Sequence, residues 1–134
     1  MTVKALKGRC QCGHIRYRLE EPVHRLNVCH CLDCQRQSGS AFGMSLVIQP
    51  DSFCLTSGTL KFFELRAASG RDKQCAFCPE CAVRIYNATS ALMSIKAGTL
   101  DEPYALDPDA HYWVKRKLPW VPLPDGTPCF EEIG

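Results

Sequence analysis

Apolar and polar residues alternate along several short stretches of the chain, which is the pattern of β-strands that bury one face. The clearest case is residues 14–19, where every second side chain is apolar and the others are His or Arg. Four further stretches show looser alternation or many β-forming residues: 44–48, 59–65, 83–86 and 93–97. The pattern predicts a set of short strands.

Turn-forming residues separate these stretches, as at Gln49-Pro50 and Ser57-Gly58. No long window keeps the helical period of about 3.6 residues. One or two helical turns are predicted only at residues 32–37, where Ser38-Gly39 is the stop signal. We therefore expect a mainly β fold, organised as one small domain over residues 1–134.

The composition allows only a small core. Of the 134 residues, 46% are hydrophobic and 9% aromatic, and there are 9 prolines and 9 glycines. A small domain buries a smaller share of its surface than a large one, so a bound metal ion would add needed stability.

Charge is nearly balanced, with 16 Lys and Arg against 14 Asp and Glu, a net charge of +2. A dedicated nucleic-acid-binding domain usually carries a larger basic excess. The densest basic run, residues 114–117, is short and is interpreted as a solvated strand end. Nucleic acid is therefore not expected as a partner.

The 10 cysteines are the most unusual feature of the composition. The N-terminal stretch has no apolar run of signal-peptide length, and no segment approaches a membrane span. We therefore expect a cytoplasmic protein without membrane association, in a compartment where thiols stay reduced. Clustered cysteines there indicate metal binding or catalysis rather than disulfides.

Most of the cysteines fall into three clusters along the chain. These are Cys10 with Cys12, then Cys29, Cys31 and Cys34, then Cys75, Cys78 and Cys81. Zinc takes four tetrahedral ligands, and cysteines separated by a few residues can supply two of them from one tight turn. The spacing therefore predicts a zinc-binding domain.

Spacing alone permits more than one grouping. The first cluster with Cys78 and Cys81 would close a four-thiolate structural site. The middle cluster would then hold a second metal ion with an open fourth position, as catalytic sites do. Alternatively, Cys29 or Cys31 completes a single four-cysteine site, and the remaining thiols are buried as small hydrophobic residues.

Other cysteines and histidines carry weaker signals. Cys54 and Cys129 are interpreted as packing residues, and Cys75 as part of the strand that leads into the third cluster. His30 lies between two candidate ligands, so its side chain should point away from a metal that they share. It could still act nearby as a proton carrier.

Four motifs together resemble the family of glutathione-dependent formaldehyde-activating enzymes, whose domain is shared with centromere protein V. They are GRCQCGHIRY from Gly8, CHCLDCQRQSGSAF from Cys29, FCPEC from Phe77 and HYWVKRKLPWVPLPDGTPCF from His111. The resemblance covers nearly the whole chain in the family's order. It implies one zinc-stapled domain of several short antiparallel sheets, related in fold to a small zinc-binding chaperone of Rab GTPases.

The resemblance also implies two zinc ions per chain and a carbon–sulfur lyase activity, which joins formaldehyde to glutathione to give S-hydroxymethylglutathione. The structural zinc would be held by Cys10, Cys12, Cys78 and Cys81, and the catalytic zinc by Cys29, Cys31 and Cys34. Two positions depart from the family pattern. Ala82 stands where glycine is usual, and Gln35 stands where a basic residue often occurs.

Glutathione is anionic, so we expect carboxylate-binding groups around the approach to the second zinc. Arg36 is the first candidate, with backbone N–H groups from Ser38 and Gly39 onwards, and Arg71 and Lys73 come next. The competing hypothesis is a zinc-binding module without catalysis, which would recognise a protein or a nucleic acid.

Overall fold

The structure is a computed structural model and describes residues 5–20, 25–66 and 72–133. Within these ranges the chain forms ten strands, one α-helix and four short 3-10 helices. The strands are β1 (Leu6–Arg9), β2 (Arg16–Leu19), β3 (Arg25–Cys29), β4 (Gly43–Ile48), β5 (Phe53–Ser57), β6 (Lys61–Arg66), β7 (Asp72–Phe77), β8 (Arg84–Ala88), β9 (Met93–Lys96) and β10 (Ala110–Tyr112). The helix α1 is Leu32–Ser38, and the 3-10 helices are Pro50–Ser52, Ala97–Thr99, Pro103–Ala105 and Val114–Arg116.

The described strands form two sheets. One has three strands in the order β1-β2-β5, and the other has seven in the order β10-β3-β4-β9-β8-β7-β6. Every named pair is antiparallel except β10 with β3, which is parallel. This parallel pair adds to the predicted antiparallel sheets. It is possible because the connection from β9 to β10 is long enough to cross from the middle of the sheet to its edge.

The predicted strands and the predicted helix all form. Residues 14–19 contain β2, whose Tyr17 and Leu19 are buried together with the preceding Ile15. The helix α1 ends at Gly39, which adopts the left-handed conformation with φ of 62°. Strand β1 did not stand out although it is as long as β2. Its buried position is Gly8, which has no apolar side chain to mark the alternation.

Two details differ from expectation or add to it. The basic run at residues 114–117 is not a strand end, because Val114–Arg116 forms a 3-10 helix. In the described part of the chain, no helix has the length and apolar character needed to cross a membrane.

Aromatic residues join the two sheets across the core. The Tyr17 and Phe53 rings stack with centres 5.3 Å apart, and Phe53 meets the edge of the Tyr86 ring from the other sheet at 5.1 Å. The Tyr17 hydroxyl is hydrogen-bonded to Thr99 Oγ1 at 2.7 Å. A Cβ at Gly8 would come within 2.3 Å of the Tyr17 ring, so this close approach requires glycine.

Candidate metal sites and the adjoining cavity

The first candidate metal site joins two turns that are far apart in the chain. It consists of Cys10, Cys12, Cys78 and Cys81, whose sulfur atoms all lie within 4.8 Å of one another. Two of these cysteines follow β1 and two follow β7, so the cluster connects the three-stranded sheet to the seven-stranded one. The Sγ of Cys12 lies 3.6 Å from that of Cys10 and 3.8 Å from that of Cys78. Sulfurs bound to one tetrahedral zinc are about 3.8 Å apart, so this cluster could hold zinc.

Both turns of this cluster pass through a residue in the left-handed conformation. Gly13 has φ of 83°, and its N–H donates to the Cys10 carbonyl at 3.2 Å. Ala82 has φ of 65°, and its N–H donates to the Cys78 carbonyl at 2.8 Å. The left-handed conformation costs alanine about 1 kcal/mol more than glycine. The turn geometry therefore accounts for the glycine that the resembled family usually has at the Ala82 position.

The thiols of this cluster differ in pKa. Burial raises the pKa of the Cys81 thiol, but hydrogen bonds from the backbone of Cys12 and Val83 outweigh burial and lower this pKa to about 6. The N–H of His14 lowers the pKa of Cys12, but burial and the neighbouring thiols raise it to about 12. A metal ion bound here would displace the remaining protons, because metal ligation requires thiolates.

The second candidate metal site is local in the chain. It consists of Cys29 at the end of β3, Cys31 at the N-cap of α1 and Cys34 inside α1. Their sulfurs also lie within 4.8 Å of one another, and no fourth cysteine, histidine or carboxylate from the described ranges joins them. The N–H of Cys34 donates to the Sγ of Cys31 at 3.3 Å. All three residues are half-buried, so a molecule from solvent could reach the cluster.

The three thiols of the second cluster also differ in pKa. A hydrogen bond from Cys34 lowers the pKa of the Cys29 thiol, against the effect of burial. The same bond, followed by burial, raises the pKa of Cys34. Burial also raises the pKa of Cys31. Cys29 is therefore the most readily ionised thiol of the three, and the other two must lose protons when a metal binds.

A cavity of about 910 Å³ is lined by Cys10 of the four-cysteine site and by Gly43, which adjoins the second cluster, but not by Cys29, Cys31 or Cys34 themselves. Residues from the end of α1 to the start of β4 form one wall, and residues from β8, β9 and the 3-10 helix Ala97–Thr99 form another. A third wall comes from the two turns of the four-cysteine site, at residues 9–11 and 82–83. Gly43 connects the cavity to the cluster, because a Cβ built on it would lie 3.2 Å from the Cβ and 3.6 Å from the Sγ of Cys34. The charged residues in the walls are Arg9, Arg84, Lys96 and Asp101. Cavities of this size hold small ligands.

The family follows from comparison with known proteins. A family model described as "Glutathione-dependent formaldehyde-activating enzyme" matches residues 5–116. The chain belongs to this family. No curated protein matches the sequence. A solved structure, that of a Rhodobacter sphaeroides protein determined as a Northeast Structural Genomics target, is 16% identical and has a TM-score of 0.56, covering 76% of this chain and 91% of its own. That likeness shows a shared fold.

In this member of the formaldehyde-activating family, the residues predicted to contact substrate are dispersed. Ser38 lines the cavity, but Arg36 and Gly39 are not among its described lining residues. The Arg36 side chain is 75% exposed and lies 4.0 Å from Asp33. Lys73 lines a separate, smaller cavity of about 260 Å³. Arg71 lies outside the described residues.

The cavity cations Arg9, Arg84 and Lys96 were not identified from the sequence. Each belongs to a short strand in which a charged residue is typical of a solvent-facing position. Only the order of the strands in the sheet brings Lys96 next to β4 and the Cys34 region. No local signal in the sequence would have singled them out.

His30 is placed differently from the proton carrier that its position suggested. It is fully buried, and its Nε2 lies 3.0 Å from Nδ1 of the buried His111. Burial is the main cause that lowers the pKa of both imidazoles. His30 is not a lining residue of the cavity. The Gln35 amide also holds this segment, since it donates to the His30 carbonyl at 2.9 Å and to the Arg116 carbonyl at 3.0 Å.

Other cysteines were expected to serve in packing or in a strand. Cys75 lies in β7 and is fully buried, as expected. Cys54 is half-buried. Cys129 is exposed, and its thiol donates to the Thr127 carbonyl at 3.3 Å, so the packing interpretation is wrong for this residue.

Gly43→Ala tests the contact between the cavity wall and the second cluster. The new methyl group would press on Cys34 at 3.2 Å, a distance at which a neighbour must move by a few tenths of an ångström. We expect weaker metal binding by the second cluster, about tenfold in affinity, because the three sulfurs would no longer fit one ion. A zinc competition titration with a chromogenic chelator measures this. The control is Gly98→Ala, since a Cβ there meets nothing within 4 Å. Equal affinities in the two variants would contradict the expectation.

Proposed function

We propose that the protein is a zinc-dependent carbon–sulfur lyase that joins an aldehyde such as formaldehyde to the thiol of glutathione or of a related small molecule. The observation that carries this proposal is the second cluster. Three half-buried sulfurs lie within 4.8 Å of one another, and none of the described residues adds a fourth ligand. A site with three protein ligands leaves one position for a reactant, whereas a four-cysteine site does not.

The two clusters would then divide the roles. Cys29, Cys31 and Cys34 would hold the catalytic zinc, and the four-cysteine cluster would hold a structural one. Zinc in the three-sulfur site would supply a position that accepts a soft sulfur ligand and lowers the pKa of the incoming thiol. The chain's own part is to bind the reactants beside this position and hold them in contact.

The reaction is balanced without any oxidant or reductant. A sulfur lone pair forms the new bond to the carbonyl carbon, and the π electrons of the C=O bond move onto oxygen. The proton lost by the thiol is replaced by one taken up on that oxygen, so the product is a hydroxyalkyl thioether. The reverse reaction cleaves the same carbon–sulfur bond.

Hydrogen bonds fix the cavity wall that would face the reactants. The Ser38 hydroxyl has its shortest contact, 2.8 Å, with the Cys34 carbonyl. The Ser40 hydroxyl donates to the Phe42 carbonyl at 3.0 Å, and the two hydroxyls are 2.9 Å apart. Phe42 precedes Gly43 in the chain, and Gly43 lies against Cys34 of the second cluster. We also propose the cytoplasm as the location, since all ten cysteines are described and all are free thiols, as a reducing compartment favours.

Exchange spectroscopy by NMR tests the proposed reaction. Zinc-loaded protein is added to an equilibrium mixture of formaldehyde, glutathione and their adduct, and the exchange rate is compared with the spontaneous rate. We expect acceleration that scales with protein concentration and persists in Cys54→Ser, which changes a cysteine outside both clusters. Exchange at the spontaneous rate would contradict formaldehyde and glutathione as the reactants.

A further inference from the structure

Lys96 is a half-buried cation in the cavity wall. It lies at the end of β9, and its side chain makes no hydrogen bond or ion pair with any residue that the structure describes. Lys96 is half-buried, and burial lowers the pKa of its ammonium group. An anion bound beside a partly desolvated ammonium group would stabilise its charge.

Two further cations share the cavity with Lys96. The Arg84 guanidinium lies over the Phe63 ring, 4.9 Å from its centre, which leaves its hydrogen-bond donors available. Arg9 precedes the first cysteine cluster. Neither arginine forms an ion pair within the described residues. Against these three cations stands one acid, Asp101, so the cavity carries an excess of positive charge.

The excess charge lies close to the second cluster. Lys96 pairs in register with Ser45 on β4, and Gly43 at the start of that strand contacts Cys34. Two residues along a strand span about 7 Å. Among the charges that act on Lys96, that of Cys34 is the strongest and opposes the effect of burial. An anion bound by Lys96 would therefore lie about 7 Å along β4 from the position at which Gly43 adjoins Cys34.

We propose that Lys96, assisted by Arg84 and Arg9, binds a carboxylate of the thiol substrate and so positions its sulfur at the second cluster. This inference rests on the proposed function and assigns the substrate class as small thiols that carry a carboxylate about 7 Å from the thiol-bearing residue. In glutathione the glycine carboxylate can extend about 7 Å from the cysteine, which matches the spacing along β4. Lys96 is a positioning residue, and the arginines add charge and hydrogen bonds.

Binding of S-methylglutathione tests this inference separately from catalysis, because its blocked sulfur cannot react. Calorimetric titration of the two-zinc protein gives its Kd for the wild type, Lys96→Met, Lys96→Arg and the control Lys61→Met. Lys61 is an exposed lysine of β6 outside the cavity. We expect Lys96→Met to weaken binding about tenfold or more, Lys96→Arg to retain most of it, and Lys61→Met to leave it unchanged.

The outcomes separate this inference from the proposed function. A Kd for Lys96→Met equal to that of the wild type, or no binding by the wild type, overturns the assignment of Lys96. If binding depends on Lys96 but the protein does not accelerate thiol–aldehyde exchange, the assignment of Lys96 is supported and the proposed reaction is contradicted. A neutral thiol, 2-mercaptoethanol, completes the test. The KM for 2-mercaptoethanol in the exchange reaction should be the same for the wild type and Lys96→Met. If Lys96→Met raised the KM for 2-mercaptoethanol as much as the KM for glutathione, carboxylate recognition would be overturned.

Discussion

Cys78→Ala should prevent the protein from folding into a stable, soluble domain. Cys78 is fully buried and belongs to the cluster that connects the two sheets, in which its sulfur meets that of Cys12 across 66 positions of the chain. Structural zinc sites contribute about 10–16 kcal/mol of apparent folding free energy in small domains, and a whole domain is stable by only about 5–15 kcal/mol. Losing one of four ligands therefore removes a large fraction of the total stability.

The chain offers a matched control for this prediction. Cys75 is as buried as Cys78 and lies three residues before it, but it belongs to neither of the two candidate metal sites. Cys75→Ala removes the same sulfur atom from the interior and should cost only about 1–2 kcal/mol. Soluble yield, thermal unfolding by circular dichroism and zinc content measure the difference. If both variants melted at the same temperature with the same zinc content, the four-cysteine site would not be a structural metal site.

Cys31→Ala should abolish thiol–aldehyde exchange and leave the fold intact. The second cluster lies within six consecutive residues and connects β3 to α1, so its loss does not separate the sheets. Removing the N-cap interaction with the Cys34 N–H should cost about 1 kcal/mol. Removing one of three ligands should release the metal and reduce the exchange rate at least about a hundredfold, to the spontaneous level.

Zinc content and thermal stability measured on the same sample decide this prediction. The wild type should carry two zinc ions and Cys31→Ala one, with a melting temperature lowered by only a few degrees. Cys54→Ala is the control, because it removes a half-buried thiol outside both clusters and should retain both ions and full activity. If Cys31→Ala lost as much stability as Cys78→Ala, the division into a structural and a catalytic site would be contradicted.

Much of the local structure could be predicted because it depends on neighbouring residues. The alternation at residues 14–19 indicated β2, since side chains of a strand point to opposite faces in turn. The short helix after Cys31 and its end at Gly39 followed from local stop signals. The sequence motifs also indicated the family, which the match over residues 5–116 shows. Strand β1 could not be found in this way, because its buried position is Gly8, which has no apolar side chain.

By itself, the sequence indicated which thiols can act together within one turn, because cysteines separated by one or two residues can supply two ligands from a tight turn. It did not exclude Cys75, which lies in β7 and outside both metal sites. The tertiary structure decided what those turns meet. Sheet order brings the turn at Cys10 to the turn at Cys78, and the register of β9 with β4 brings Lys96 beside the second cluster. The parallel pairing of β10 with β3 is of the same kind. These contacts depend on how distant strands pair and pack, and no local pattern of residues specifies that pairing.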